Sequence, residues 1–295
     1  MSALSRSSVC PACGEELRAG CVSWVAQCRR CGISIDCAPV PGEISIQLDE
    51  VRRVSALSRL RSAAARRMLD RILAKNPSGG RRLLDIGCGH GWFLSAAAAR
   101  GFDATGIEPD EKAAKHALAL GVAVRQGRFP DVMSPGETFD VIAFNDVIEH
   151  LPDPLESLFV SRSHLTPGGI IVVSIPVTNG CFYRTSRLLA HVGWRAPLER
   201  LWQRRFPSPH THYFSRKGFE RMAERAGLNV VQSWRKPSIS IRGLWDRLHF
   251  GGDPNPKWLL PAIWGTLILL FPIILMLPGD TVDFALQAGE SSKKP

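Results

Sequence analysis

Between residues 83 and 176 short apolar runs alternate with stretches whose apolar positions recur every three or four residues. The runs Leu83-Leu84-Asp85-Ile86, 104–108, 122–125, 139–146 and 170–176 predict buried strands. The alanine-rich stretch 92–100, a segment opened by Pro109-Asp110-Glu111, and 155–165 predict the intervening helices, the last stopped by Thr166-Pro167-Gly168-Gly169. Ahead of them, 51–75 carries Val54, Leu57, Leu60, Ala64, Met68 and Ile72 on one helical face. Arg52, Arg53, Arg59, Arg66, Arg67 and Arg71 lie on the other, and Asn76-Pro77-Ser78-Gly79-Gly80 ends it. Later, Ser215 caps a helix over 216–226 that Gly227 ends. Strands follow at 228–234 and 281–287. This order predicts an α/β core.

The first 40 residues follow another rule. Cys10 and Cys13, then Cys28 and Cys31, form two Cys-x2-Cys pairs, each followed by a glycine (Gly14, Gly32). Four thiolates at this spacing suit tetrahedral Zn²⁺, so 1–40 is expected to be a zinc ribbon whose folding depends on its metal. Cys21 and Cys37 fall outside the pattern, Cys37 being the alternative ligand. Residues 41–80 then form a linker, with one alternating strand at Ile44-Ser45-Ile46-Gln47-Leu48, and the lead-in helix. With 45% hydrophobic and 22% charged residues the chain has a globular composition. Charges and cysteines begin at once where a secretory signal would need an apolar core, so the cysteines are expected in a reducing cytoplasm.

The first strand runs into Gly87-Cys88-Gly89-His90-Gly91, a turn that brings bare backbone N–H groups beside a ligand. The Asp-x-Gly-x-Gly-x-Gly spacing from Asp85 resembles motif I of class I S-adenosylmethionine (SAM) methyltransferases. The resemblance covers about 81–176, resumes at Ser215, and implies a doubly wound, seven-stranded, mostly parallel sheet with a reversed last strand over 81–295. It also implies that Gly87, Cys88, Gly89 and Gly91 cradle the methionine part of SAM and that Asp85 meets its ammonium. Glu108, 23 residues on, would accept from the ribose hydroxyls, with Pro109 beside it among the cofactor contacts. The segment after the third strand departs from the pattern. Arg128 stands where an acid often holds the adenine amine, which leaves Phe129 to pack on the ring.

Asn145-Asp146-Val147-Ile148-Glu149-His150 and the following Asp153-Pro154 resemble the second block of a methyltransferase group that includes the ubiquinone-biosynthesis O-methyltransferases. Asp146, Glu149 and His150 stand at i, i+3 and i+4, so a helical turn would put them on one face beside the sulfonium. Three roles stay open for them: a general base at His150, a divalent cation site as the resemblance suggests, or bracing of the loop. Asn145 and Asp146 also count among the cofactor contacts. His210 and His212 are read chiefly as bracing their turn, with the pocket as the alternative.

Two insertions complete the picture. Residues 177–214 interleave Asn179, Tyr183, Trp194 and Trp202 with Arg184, Arg195, Arg204 and Arg205 at the edge where substrates are chosen. Of the net charge of +10, a large share lies between Arg184 and Arg247, with 14 Lys/Arg against 4 Asp/Glu. Within the second insertion, 236–279, the stretch 258–279 holds 22 residues without a charge. That length suffices to span a bilayer, yet a crossing would strand 281–287 on the far side of the sheet it must complete. Peripheral contact with an anionic membrane is therefore expected, with a single span or a buried lid or dimer surface as the alternatives, and a small-molecule, glycan- or lipid-linked acceptor, methylated on oxygen before carbon. The alternatives are an RNA methyltransferase docking through its ribbon, disfavoured by the lack of an Asn-Pro-Pro-aromatic segment after the fourth strand, and a non-catalytic membrane-associated scaffold.

Overall fold

The computed structural model describes residues 8–38, 50–76, 79–236, 241, 244–250 and 257–289. Its N-terminal strands are β1 (Arg18–Ala19), β2 (Val25–Gln27) and β3 (Ser34–Asp36), followed by the helix α1 (Glu50–Lys75). The alternating core comprises β4 (Arg82–Ile86), α2 (Trp92–Ala98), β5 (Asp103–Glu108), α3 (Glu111–Ala119), β6 (Ala123–Gln126), β7 (Phe139–Asn145), α4 (Pro154–Ser163) and β8 (Leu165–Pro176). The insertion after it contains α5 (Cys181–His191), α6 (Ala196–Leu201) and β9 (His212–Tyr213). The chain continues through α7 (Arg216–Arg225), β10 (Leu228–Lys236), α8 (Leu244–Phe250), α9 (Leu260–Leu269), α10 (Phe271–Met276) and β11 (Thr281–Ala288). The strand expected at 44–48 lies outside the described residues, as do the side chains of Val54, Leu57 and Leu60.

Seven strands form one sheet in the order β10-β11-β8-β7-β4-β5-β6, and β11 alone runs antiparallel to its neighbours. Alternate residues divide two apolar cores. Leu84, Ile86, Ile142, Phe144, Ile171 and Val173 face α4 and α7 through Leu158, Phe219 and Met222. Leu83, Val141, Ala143, Ile170 and Val172 face the other way, onto Met68, Leu69 and Ile72 of α1 and Leu94 and Ala97 of α2. Helices on both faces make the sheet doubly wound, as the resemblance implied. Because β4 leads outward to β5 and β6 while β7 leads to β8, the crevice for a ligand opens at the carboxyl ends of β4 and β7.

Two local expectations change. The Thr166-Pro167-Gly168-Gly169 turn is a bulge inside β8, where pairing jumps from Phe139↔Leu165 to Val141↔Ile170. The ribbon, in turn, does not end with its own strands. β9, from the insertion nearly two hundred residues away, pairs antiparallel with β3 as the fourth strand of its sheet.

Candidate active site

At the end of β4, Gly87 N and Cys88 N both donate to Ile107 O, at 2.8 and 3.1 Å, which ties the glycine turn to β5. Gly89 has φ +52°, and a Cβ there would meet no described atom within 4 Å, so the turn faces open space. Gly91 (φ +81°) is different. A Cβ on it would sit 2.7 Å from Ala117 Cβ, so this glycine lets α2 approach α3. Cys88 is buried, and burial pushes its thiol pKa up.

Two acids flank the turn. Glu108 Oε2 accepts from Gly89 N at 2.8 Å and its Oε1 from Asp110 N at 2.9 Å. Burial raises its pKa, and these two N–H groups oppose the rise. Asp85 is almost wholly buried and accepts from Asn145 Nδ2 at 3.0 Å, across the switch point between β4 and β7. Burial pushes its pKa up to about 8; Asn145 resists and the neighbouring Glu108 adds to the rise. Asp110 caps α3 by accepting from Ala113 N, and Pro109 is exposed beside it. Phe129 is half-buried with its ring 6.0 Å from that of Phe144.

Beyond β7 the chain departs from the helical turn expected over 146–150. Asp146 takes φ +57° and lies outside the single 3₁₀ turn Ile148–His150, so the three residues do not share a helical face. Its N donates to Ser174 O at 3.1 Å, and its Oδ1 accepts from Ser174 Oγ at 2.8 Å. The residues whose ligand atoms lie within 4.8 Å of one another are instead Glu149, His150 and His210. His150 Nδ1 is 3.0 Å from Pro209 O, which fixes its proton on Nδ1 and leaves Nε2 with the lone pair. Its ring lies 4.6 Å from that of His210, whose Nε2 is 2.9 Å from Gln203 Nε2. Burial pushes Glu149 well above the carboxylate range, lowers His150 and sends His210 well below the imidazole range. Glu149 Oε2 and His210 Nδ1 are buried with no hydrogen-bond partner among the described residues.

Lys236 also reaches this edge, and its position along the chain gives no hint of it. Its ammonium donates to Ser174 Oγ at 2.7 Å while pairing with buried Asp283 at 2.7 Å, and Asp283 pairs on its other side with Arg71.

The ribbon meets this edge from behind. Cys10, Cys13, Cys28 and Cys31 bring their sulfurs within 4.8 Å of one another, with Cys13 and Cys28 at 3.6 Å. A tetrahedron of thiolates about 2.3 Å from Zn²⁺ has edges of roughly 3.8 Å, so the set fits that ion. Arg221 of α7 donates to Cys31 Sγ at 3.6 Å, a contact that would offset thiolate charge. Cys21 and exposed Cys37 stay outside the cluster.

With this geometry in place, the comparisons decide the family. The family described as "Methyltransferase domain" matches residues 57–233. The chain belongs to the class I SAM-dependent methyltransferases. The methyltransferase is 38% identical over 109 residues to a ubiquinone biosynthesis O-methyltransferase of Cereibacter sphaeroides, covering 35% of this chain and 44% of that one. It thus spans under half the length of that relative. A protein of the same description from Rhizobium rhizogenes is 27% identical over 192 residues, 63% of this methyltransferase and 74% of its own length. A SAM-dependent methyltransferase of Archaeoglobus fulgidus shares the fold at TM-score 0.51 and 17% identity, over 78% of this chain and 93% of its own. Another from Thermotoga maritima does so at 0.53 and 16%, over 81% and 95%.

Proposed function

We propose that this methyltransferase methylates a hydroxyl oxygen of a small-molecule or lipid-linked acceptor, with His150 as the base that takes the hydroxyl proton. The observation that carries the reading is the 3.0 Å contact of His150 Nδ1 with Pro209 O, which leaves Nε2 able to accept a proton at the carboxyl edge. Bound SAM supplies a methyl group on a sulfonium, displaced in line by the acceptor oxygen, so that the leaving thioether is neutral. The chain's own contribution is alignment and proton removal. In this reading the turn of Gly87, Cys88 and Gly89 cradles the methionine part with Gly89 facing it, while Gly91 serves helix packing and is withdrawn from the cradle; Glu108 accepts from the ribose hydroxyls, and Phe129 packs on the adenine. Asn145 and Asp146 line the approach to the sulfonium. Zn²⁺ on Cys10, Cys13, Cys28 and Cys31 is a structural ion, and a lipid-linked acceptor would meet the enzyme at a membrane surface. The oxygen-directed names of the relatives support oxygen over carbon.

The test is transfer of labelled methyl from SAM to phenolic and lipid-linked hydroxyl acceptors. His150→Ala is expected to lower kcat about 100-fold, the usual worth of a positioned base. Because burial lowers the imidazole pKa, the neutral, base-competent form persists below the ordinary value of about 6.5. The acid limb of the kcat profile should therefore fall below pH 6.5 in the wild type and vanish in the variant. An unchanged kcat would remove His150 from the chemistry.

A second reading rests on the unpartnered Glu149 Oε2 and His210 Nδ1. Together with His150 they offer a carboxylate and two imidazoles to a divalent cation. Full activity after exhaustive treatment with a chelator that spares the cysteine-bound metal would dismiss it.

Asp85 carries its own pH signature. With its pKa near 8, the free enzyme holds Asp85 largely protonated at pH 7, and the ammonium of SAM favours the carboxylate. Binding below pH 8 should thus release a proton, and affinity should rise as pH approaches 8. Calorimetry in two buffers of contrasting ionisation heat measures the release. No proton released at pH 7 would place the ammonium elsewhere.

A further inference from the structure

The geometry points to a two-pronged seat on an anionic lipid bilayer, formed by α9–α10 and α5, that turns the carboxyl edge of the sheet toward the lipid. This deepens the acceptor reading, because it states where a lipid-linked acceptor would enter. Lys236 of β10 pairs with Thr281 of β11, and Thr281 pairs with Pro176 at the end of β8. The segment between β10 and β11 therefore leaves and returns at the edge that carries Glu108, Asp146 and His150.

One side of that segment is covered. Leu244 and Ile274 are buried with Phe182 of α5 and with Leu267, Ile268 and Phe271 packed around them. The other side is bare. Leu269 is 79% exposed, Met276 88% and Trp258 77%, and Ile273, Leu275 and Leu277 are exposed beside them. No charge interrupts 258–279, and no helix among the described residues is long and apolar enough to cross a membrane. An apolar element too short to span, with its outer side bare, suits an interfacial position.

α5 supplies the second prong, and the structure joins it to the first. Asp280 accepts from Phe182 N at 3.2 Å and Tyr183 N at 3.0 Å, and Cys181 N donates to Pro278 O at 3.0 Å. The exit from α10 is thus pinned to the start of α5. Along α5, Arg184 and Leu188 form an exposed stripe with Val192 just past its end, four residues apart, followed by exposed Trp194 and Arg195. Arginine beside exposed leucine, valine and tryptophan suits a headgroup layer, where the cation meets lipid phosphate and the apolar groups enter the acyl boundary. A protein partner would need polar groups to set its register, and the bare face offers only Thr266 and the indole N–H groups of Trp258 and Trp264, donors that also suit a headgroup layer. The charge selects anionic lipid.

Flotation of the full chain with phosphatidylglycerol–phosphatidylcholine vesicles, and with phosphatidylcholine vesicles alone, is the test. The wild type is expected to float with the anionic vesicles and far less with neutral ones. Combining Leu269→Glu with Met276→Glu should cut the vesicle partition coefficient about 100-fold, as two apolar side chains lose their burial. Arg184→Glu with Arg195→Glu should abolish the preference for anionic lipid. All four positions are exposed, so SAM binding and the thermal midpoint should stay unchanged and certify folded protein. Folded, SAM-binding wild type that fails to float would overturn the seat. So would light scattering that shows a dimer dissolved by the glutamate variants, which would assign the face to a second copy. Flotation does not read methyl transfer, so its failure and that of the acceptor reading are separate results.

Discussion

Glu108→Ala is expected to weaken SAM binding by at least about 100-fold, because in the proposed role its buried carboxylate accepts from two ribose hydroxyls and the variant loses two charge-assisted hydrogen bonds, each worth roughly 1.5–3 kcal/mol. The structure explains why this acid can do more than attract. Each carboxylate oxygen already accepts one backbone N–H, from Gly89 and Asp110, which fixes the carboxylate plane before any ligand arrives. The free oxygen lone pairs are thus aimed without further loss of side-chain entropy. The same bonds hold Gly89 in its left-handed conformation, so the alanine variant should also loosen the turn. Glu108→Gln separates the effects. The amide is uncharged and presents one oxygen, so Gly89 or Asp110 loses its partner while the side-chain volume is kept. Isothermal titration of both variants should rank wild type above glutamine above alanine. Thermal midpoints within a few degrees of wild type would confirm that affinity, and not folding, has been lost. Equal affinity in all three proteins would move the ribose away from β5.

Much of this site could be read along the chain because its determinants are local. The glycine turn, the acid at the end of β5 and the paired cysteines each need only a few consecutive residues to reveal their geometry. The failures have a common cause. Taking Asp146, Glu149 and His150 as one helical face assumed that the helix begins at Asp146. That residue instead follows β7 directly in a left-handed conformation, anchored to Ser174 on the neighbouring strand. His210 joins Glu149 and His150 from sixty residues away, and its only sequence signal was a histidine-rich turn that equally suits bracing. Lys236 reaches Ser174 across β11, which lies between their strands, so their contact is a matter of sheet register alone. β9 is two residues long, too short for any periodicity. Its partner in the ribbon was unpredictable for the same reason.

That short strand sets the second large effect. If Zn²⁺ fills the four-cysteine cluster as proposed, Cys28→Ser, or removal of that metal by a chelator, is expected to abolish turnover while leaving SAM affinity within about twofold of wild type, since structural zinc contributes on the order of 10 kcal/mol to such small folds. Without the metal, β2 and β3 have little core of their own to hold them. What they carry is then lost in sequence. Ser34 and Ile35 pair with Tyr213 and His212, and Asp36 N donates to Thr211 O at 2.9 Å. Thr211 N in turn donates to Glu149 O at 2.8 Å, which makes the ribbon the backing of the turn that presents Glu149 and His150. A buried pair, Arg204 with Asp36 at 2.6 Å, and the edge-on packing of Trp24 against Trp202 lock the same junction. The glycine turn and Glu108 lie on β4 and β5, outside this chain of hydrogen bonds, and meet the ribbon through the shared apolar core that holds Ile33, Ile86 and Ile107. Asp36→Ala keeps every cysteine yet removes the carboxylate that pairs with buried Arg204, and breaking a buried pair costs about 3–5 kcal/mol. It should therefore lower kcat and the thermal midpoint with the zinc content unchanged. A ribbon that served only to dock the acceptor would give the opposite split. KM would rise for a docked acceptor, kcat on a small phenol would survive, and Asp36→Ala would leave both untouched.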